Sequence, residues 1–114
     1  MKLSDIILGE QTNRPKAIIM AGGAGSGKTY LLNQLNLDSL TQFNPDKYVE
    51  DPDHPFHNNL GAASRQISKD VEAAANANTS FVWDTTASGK EFDRIFNSLL
   101  KSGYDVYMLS LIHI

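Results

Sequence analysis

The fold of this chain is decided by the stretch Ala17-Ile-Ile-Met-Ala-Gly-Gly-Ala-Gly-Ser-Gly-Lys-Thr29. Its second part, Gly22–Thr29, matches the phosphate-binding pattern G-x-x-x-x-G-K-S/T at every fixed position. The apolar run before the glycines is typical of a β-strand, and the residues after Thr29 include apolar positions suited to a helix. Because the motif requires a strand, a glycine loop and a helix in this order, the sequence predicts a phosphate-binding loop.

The residues of this loop have physical reasons to contact nucleotide phosphates. Glycines let the backbone turn sharply and present its N–H groups to an anion at the positive end of the following helix. The Lys28 ammonium reaches the β- and γ-phosphates of ATP, and the Thr29 hydroxyl is a ligand for Mg²⁺. ATP and Mg²⁺ are therefore the predicted cofactors, and the predicted cofactor-binding residues are Gly22, Gly23, Ala24, Gly25, Ser26, Gly27, Lys28 and Thr29.

Two other interpretations of the glycines compete with this one. The first is a glycine-rich turn with an incidental lysine, which the strand and helix patterns on either side disfavour. The second is the dinucleotide-binding pattern G-x-G-x-x-G. Counted from Gly23 and Gly25, that pattern needs a glycine where this chain has Lys28, so it is excluded.

Composition excludes several kinds of function. The 114 residues suffice for one domain, and contents of 41% hydrophobic and 20% charged residues are ordinary for a globular protein. The net charge of −3 does not support sequence-independent binding of nucleic acid, and the absence of cysteine excludes disulfides and thiol catalysis. No apolar run approaches the roughly 20 residues of a membrane span. None resembles a signal peptide, so the cytoplasm is the expected compartment.

Strand and helix patterns alternate along the chain, which predicts an α/β fold with a mainly parallel sheet. The apolar stripes expected to face the core are Leu60, Ala63, Ile67, Val71 and Ala74 in one helix and Phe92, Ile95, Phe96, Leu99 and Leu100 in another. Strands are predicted at residues 16–20, 40–43, 81–83 and 104–109, and helices at 28–35, at 60–77 and from a capping box of Ser88 and Glu91 to Gly103.

Two aspartates follow predicted strands, at the edge where ligands of parallel sheets bind. Asp46, after the second strand, is interpreted as a general base for the proton of an attacking hydroxyl; the alternative is a turn residue that serves only backbone geometry. Asp84 ends the third strand and resembles a Walker B aspartate that holds Mg²⁺ directly or through water; the alternative is a turn or helix-start aspartate. Thr85 and Thr86 are candidates for substrate contact or for local backbone bonding.

A polar loop is predicted at residues 51–59, which include Asp51, Asp53, His54 and His57. The two prolines and the loop setting favour a solvated loop over a metal site. Such a loop is also suited to covering an acceptor substrate.

Four blocks of sequence together resemble the zeta-toxin-like P-loop kinases, within the P-loop NTPase superfamily. They are GGAGSGKT at 22–29, NPDKY at 44–48, FVWDTTAS at 81–88 and GYDVYM at 103–108. Many NTPases share the first block, and the later blocks in this order narrow the resemblance. It covers residues 16–108 and implies a three-layer P-loop fold.

The resemblance also implies roles for matching residues. The glycine loop would bind ATP and Mg²⁺, with Lys28 taking part in catalysis. Asp46 matches the catalytic base, which contacts the substrate. Asp84 matches the acidic residue that joins Thr29 at the metal, and Thr86 matches a substrate-contacting threonine.

Two departures leave the acceptor open. Zeta toxins often carry an arginine where this chain has Ser88, and polynucleotide kinases carry one where it has Val49. Both arginines grip substrate phosphate in those proteins.

The chain is expected to divide into an N-terminal extension at 1–15, an incomplete kinase core at 16–108 and a tail at 109–114. The tail, Leu109-Ser-Leu-Ile-His-Ile114, is also one reading frame of a common sequencing-library adapter. Small P-loop kinases usually need about 150–200 residues. We therefore expect that the natural chain continues past Met108 with an arginine-bearing lid and that the tail is an assembly artefact; the alternative is a genuine strand end.

Together these features predict an ATP-dependent kinase that transfers the γ-phosphoryl group to a hydroxyl of a small molecule or nucleotide sugar. One alternative takes the 5′-hydroxyl of nucleic acid as acceptor, against which the acidic net charge counts. Another is an ATP-binding module without transferase activity, which would not need Asp46. The sequence does not identify the acceptor, the oligomeric state or a neutralising partner of the antitoxin type.

Overall fold

The computed structural model describes residues 14–21, 30, 33–34, 36–37, 40–85 and 89–110. Their strands are β1 (Lys16–Ala21), β2 (Thr41–Phe43), β3 (Phe81–Thr85) and β4 (Asp105–Ser110). Their helices are α1 (Asp46–Val49), α2 (Leu60–Asn76) and α3 (Lys90–Lys101), and Tyr30, Asn33 and Gln34 are also helical. Of the helices in this part of the chain, none is long and apolar enough to cross a membrane.

The strands of the described residues form one parallel sheet in the order β2-β3-β1-β4. Each strand lies within two residues of its predicted position, and the predicted α/β fold is confirmed. Because all the strands run in the same direction, their carboxyl ends meet at one edge of the sheet. This carboxyl edge is where the sequence predicts the functional residues.

The sheet has a hydrophobic core on each face, because successive side chains of a strand point in opposite directions. On one face, α2 and α3 cover the sheet, and the buried residues are Ala17, Ile19, Ile67, Val71, Phe81, Trp83, Phe92, Ile95, Leu99 and Tyr104. On the other face the buried residues are Ile18, Met20, Val82 and Leu37. Leu37, from the segment that follows the glycine loop, therefore packs on the face opposite α2 and α3.

The chain leaves β1 and β3 toward opposite faces of the sheet. After β1 it reaches Leu37 on one face, and after β3 it enters α3 on the other. Adjacent parallel strands that diverge in this way form a topological switch point, where ligands of open α/β sheets bind. The fold therefore places the expected binding crevice between the ends of β1 and β3.

The ends of α2 and α3 follow the same capping geometry. Gly103 has φ +87°, and its N–H donates to the Leu100 carbonyl (3.3 Å) while that of Tyr104 donates to the Leu99 carbonyl (3.1 Å). These two bonds form a Schellman motif, which confirms Gly103 as the predicted helix end. Asn78, with φ +55°, takes the equivalent position after α2.

Two details of the predicted helices are wrong, and a third lies outside the described residues. The described start of α3 is Lys90, after Gly89 with φ +97° and no side-chain cap, while Ser88 of the predicted capping box is not among the described residues. Leu60 is 56% exposed because it is the first residue of α2, one turn before the buried Ala63. Leu100 is 49% exposed because it lies beside the buried stripe of α3.

Charged residues fasten the opposite, amino edge of the sheet. The buried Lys16 ammonium lies 2.9 Å from Asp105 Oδ2 and 2.7 Å from the Arg14 carbonyl oxygen. Arg14 Nε lies 3.3 Å from the other oxygen of Asp105 and donates to the Gly103 carbonyl (2.8 Å). These contacts tie β1 to β4 at the end of the sheet that is remote from the predicted phosphate loop.

Candidate active site

The candidate active site starts where β1 leads into the glycine loop. Ala21 is the last residue of β1, and the parallel register pairs it with Thr85 and pairs Met20 with Asp84. Neighbouring strands lie about 4.8 Å apart. The backbone of Asp84 is therefore next to the last residues that precede the predicted phosphate loop.

The alternation of β3 determines the face on which Asp84 lies. Val82 packs with Met20 and Leu37, and Asp84, two residues later, projects toward that same face. This is the face on which Leu37, from the segment after the glycine loop, is buried. A carboxylate is a ligand that Mg²⁺ prefers, so the residue type and its position fit the predicted metal-holding role.

The residue before Asp84 has a structural role. Trp83 faces the other core, is 3% exposed and packs against Phe92 with ring centroids 5.4 Å apart. These contacts make Trp83 part of the hydrophobic core.

Asp46 reaches the same edge from the neighbouring strand. Phe43, the last residue of β2, pairs with Trp83 of β3, and Asp46 follows three residues later as the first residue of α1. Two strand spacings, roughly 10 Å, separate β2 from β1. Asp46 after β2, Asp84 near the end of β3 and the glycine-loop sequence after β1 thus belong to three adjacent strands.

The turn predicted around Asp46 continues as the short helix α1. The Asn44 side-chain oxygen accepts a hydrogen bond from the Asp46 N–H (2.9 Å), as in an Asx turn. Val49 N–H then donates to the Pro45 carbonyl (3.2 Å), and Glu50 N–H donates to the Asp46 carbonyl (2.9 Å). Since a single helical turn is not stable alone, its orientation depends on contacts with the rest of the chain.

Tyr48 supplies such a contact between α1 and α2. Its hydroxyl donates to Asp70 Oδ2 (2.9 Å), and Gln66 Nε2 donates to the other oxygen of that carboxylate (3.0 Å). The hydrogen bond to Asp70, followed by burial, raises the pKa of Tyr48 above its usual value. No sequence motif predicted a role for these three residues, although Gln66 and Asp70 have the i, i+4 spacing of interacting helix residues.

The polar loop at 51–59 folds back onto the end of α1. The Val49 carbonyl oxygen accepts a hydrogen bond from the Asn58 N–H (3.2 Å) and lies 2.8 Å from His57 Nδ1. The His54 ring stacks on Tyr48 with centroids 4.5 Å apart, and its Nδ1 accepts from the Phe56 N–H (3.0 Å). The loop is therefore organised, although, as predicted, it contains neither helix nor strand.

Among the described residues, no group of three or more histidine, aspartate and glutamate side chains is arranged to hold a metal ion. Several predicted site residues lie outside the described residues, and their roles stay predictions. They are Gly22, Gly23, Ala24, Gly25, Ser26, Gly27, Lys28, Thr29 and Thr86.

The sheet order, the glycine loop after β1 and the two aspartates together match the class of P-loop kinases, and solved structures share this fold. A putative kinase from Chloroflexus aurantiacus J-10-fl has 17% identity and a TM-score of 0.61, with 86% of this chain and 59% of that chain covered. The PezAT toxin–antitoxin system of Streptococcus pneumoniae has 15% identity and a TM-score of 0.65, with 87% and 48% covered. The Pnkp1/Rnl/Hen1 complex has 18% identity and a TM-score of 0.56, with 91% and 38% covered.

The zeta toxin family model matches residues 3–113. The chain therefore belongs to the zeta toxin family, as the sequence blocks predicted. It spans less than two thirds of each of the three solved chains, which at these identities are similar in fold. A search of curated proteins gave no match.

Proposed function

We propose that this chain is the core of an ATP-dependent kinase that transfers the γ-phosphoryl group of ATP to a hydroxyl of a small molecule or nucleotide sugar. The observation that carries the proposal is the register of β1 and β3, which pairs Met20, two residues before the predicted phosphate loop, with Asp84. Family membership and the kinase neighbours support this class of chemistry.

The loop residues Gly22–Thr29 would hold the phosphates of ATP with backbone N–H groups and the Lys28 ammonium. Thr29 and Asp84 would hold Mg²⁺, since a hydroxyl and a carboxylate are both oxygen ligands suited to it. The ion supplies positive charge that offsets the charge of the phosphates.

Asp46 would act on the acceptor. Its carboxylate accepts the proton of the acceptor hydroxyl while that oxygen forms a bond to the γ-phosphorus. The bond between the γ-phosphorus and the bridging oxygen breaks, and ADP leaves with the electron pair. The product is a phosphate monoester, and the proton stays on Asp46 until it passes to solvent.

The residues proposed to contact the acceptor substrate, besides Asp46, are Thr86 and the loop at 51–59. Thr86 would contact the acceptor, and the folded loop at 51–59 directly follows α1. The net charge of −3 favours a small acceptor over a nucleic acid. The Streptococcus pneumoniae structure belongs to a toxin–antitoxin system. The proposal for this chain therefore includes a neutralising partner of the antitoxin type, and it takes the cytoplasm as the compartment.

The direct test follows γ-labelled phosphate from ATP onto a panel of sugar nucleotides and 5′-hydroxyl oligonucleotides, with full-length protein. We expect label on a small acceptor only when Mg²⁺ is present. Labelling of oligonucleotides in preference to every small acceptor would favour the polynucleotide kinase instead. ATP binding without transfer to any acceptor would contradict the kinase proposal and favour a binding module.

A further inference from the structure

The helix α1, which carries the proposed base Asp46, is joined to α2 by a side-chain hydrogen bond from Tyr48 to Asp70, and a second donor also holds the Asp70 carboxylate. Tyr48 hydroxyl donates to Asp70 at 2.9 Å, and Gln66 occupies the second carboxylate oxygen at 3.0 Å. The acceptor is therefore held by its own helix as well as by Tyr48. Each carboxylate oxygen has a donor, which fixes the orientation of the Asp70 side chain.

The ring of Tyr48 is also held in place. It stacks on His54 at 4.5 Å with an interplanar angle of 25°, and the edge of Phe56 lies 6.1 Å away at 80°. The loop that carries both rings is anchored on α1 itself, because the Val49 carbonyl accepts from the Asn58 N–H. Rotation of α1 about its own axis would break the hydrogen bond to α2, whereas the stacked rings, which this anchor holds on α1, would turn with the helix.

The rotation of α1 decides the direction of Asp46. Successive residues of an α-helix are about 100° apart, so Asp46 and Tyr48 project from nearly opposite sides of α1. When Tyr48 is bound to Asp70 on α2, Asp46 faces away from α2. Any turn of α1 would redirect the Asp46 carboxylate by the same angle.

From this geometry we infer that Tyr48 is a positioning residue for Asp46, acting through its hydrogen bond to Asp70. The inference rests on the proposed function, in which Asp46 is the base. Tyr48 touches neither substrate nor phosphate in this account. It holds α1 at the rotation in which the Asp46 carboxylate is directed at the acceptor hydroxyl, since loss of alignment by about 1 Å lowers reaction rates strongly.

The test compares full-length wild type with Tyr48→Phe, which keeps the stacked ring and removes only the hydroxyl. We expect the transfer rate at saturating substrates to fall between about three- and thirtyfold, while the KM for ATP changes by less than about twofold. Asp70→Ala, which removes both acceptor oxygens of the carboxylate, should produce a similar loss. The double variant should be no slower than the slower single variant, because both changes remove the same contact.

Tyr104→Phe is the matched control. Its hydroxyl lies 2.8 Å from the Thr79 carbonyl oxygen and 3.0 Å from that of Ala74, at the amino end of the sheet. Like Tyr48→Phe, this variant removes a tyrosine hydroxyl that makes hydrogen bonds. It should therefore lower thermal stability, but it should leave the transfer rate at saturating substrates unchanged. Equal losses of transfer in the Tyr48 and Tyr104 variants would overturn the inference, because both would then act through stability alone.

A second readout does not depend on catalysis. Amide hydrogen exchange at Val49 and Glu50 reports opening of α1, and we expect it to be at least about fivefold faster in Tyr48→Phe than in Tyr104→Phe. If Tyr48→Phe shows both the amide exchange and the transfer rate of the wild type, the positioning role is overturned. The proposed function still stands in that case, provided that Asp46→Asn transfers slowly. If Asp46→Asn transfers at the wild-type rate, or if the wild type transfers nothing, the proposed function fails, and the catalytic role of Tyr48 fails with it.

Discussion

Met20 of β1 and Asp84 of β3 are partners in the parallel register of the sheet, and their side chains lie on the same face. Met20 is the next-to-last residue of its strand, so the glycine loop begins two residues later. This pairing connects the sequence motif to the structure. It places a carboxylate beside the point where the chain enters a loop predicted to hold phosphates.

Replacing Lys28 with alanine should weaken nucleotide binding. The change removes a charge-assisted contact to phosphate worth about 1.5–3 kcal/mol. The dissociation constant of Mg·ATP should therefore rise roughly ten- to a hundredfold in calorimetric titration. Lys90→Ala, which changes an exposed lysine at the start of α3, is the control for loss of charge. Unchanged affinity in a folded Lys28→Ala variant would exclude the phosphate site.

Replacing Asp84 with asparagine should change the response to Mg²⁺ more than the response to ATP. The proposed partner of this carboxylate is the ion, so the Mg²⁺ concentration for half-maximal transfer should rise about tenfold or more. Asp93→Asn, an exposed aspartate of α3, serves as the control. The metal-holding role is wrong if both variants show the same Mg²⁺ dependence as the wild type.

Two glycine substitutions should have opposite effects on stability. Gly103→Ala places a side chain at φ +87°, where nothing lies within 4 Å of the added carbon, so the cost of about 1 kcal/mol comes from the backbone alone. Gly61→Ala in α2 meets only Arg65 and Asn59 side chains at 3.6 and 3.8 Å and should stabilise by about 0.5 kcal/mol. Urea denaturation midpoints measure both changes, and a stabilising Gly103→Ala would contradict the assigned helix end.

The ionisation of Tyr48 should make stability depend on pH in the alkaline range. Its folded pKa is raised above the usual value of 10.0, chiefly by the hydrogen bond to Asp70. The stabilisation is therefore complete below pH 10 and is lost as pH rises through the higher folded pKa. Burial raises the pKa of Tyr104 in the same direction, so the Tyr48→Phe and Tyr104→Phe variants must be compared.

The ionisation of the tyrosines is measured by the ultraviolet absorbance of their phenolate forms as the pH is raised. Subtracting the Tyr48→Phe curve from the wild-type curve should leave one tyrosine that titrates above its unfolded value. A difference curve centred at or below that value would contradict the Tyr48–Asp70 hydrogen bond.

The strands and long helices could be predicted because their apolar periodicity matches their burial. Val71 and Leu99 are fully buried at the positions that the helical spacing indicated. The exposure of residues at helix ends could not be predicted, since Leu60 fits the apolar stripe but is the first residue of α2 and is 56% exposed.

The candidate site was predictable where a strand end carries the residue, as with Asp84. The surroundings of Asp46 were not, because α1 is a single turn stabilised by residues distant in sequence. Tyr48 and Asp70 are 22 positions apart, and no local pattern indicates that they meet. Tertiary contact, not propensity, orients this part of the site.

The central claim is that Asp46 is the base of a phosphoryl transfer, and the most direct test is the transfer rate of Asp46→Asn in full-length protein. The substitution keeps the shape of the side chain and removes its ability to accept the proton. We expect transfer to the best acceptor to fall by about 10²–10⁴-fold, with the affinity for Mg·ATP nearly unchanged. Transfer at the wild-type rate by Asp46→Asn would contradict it.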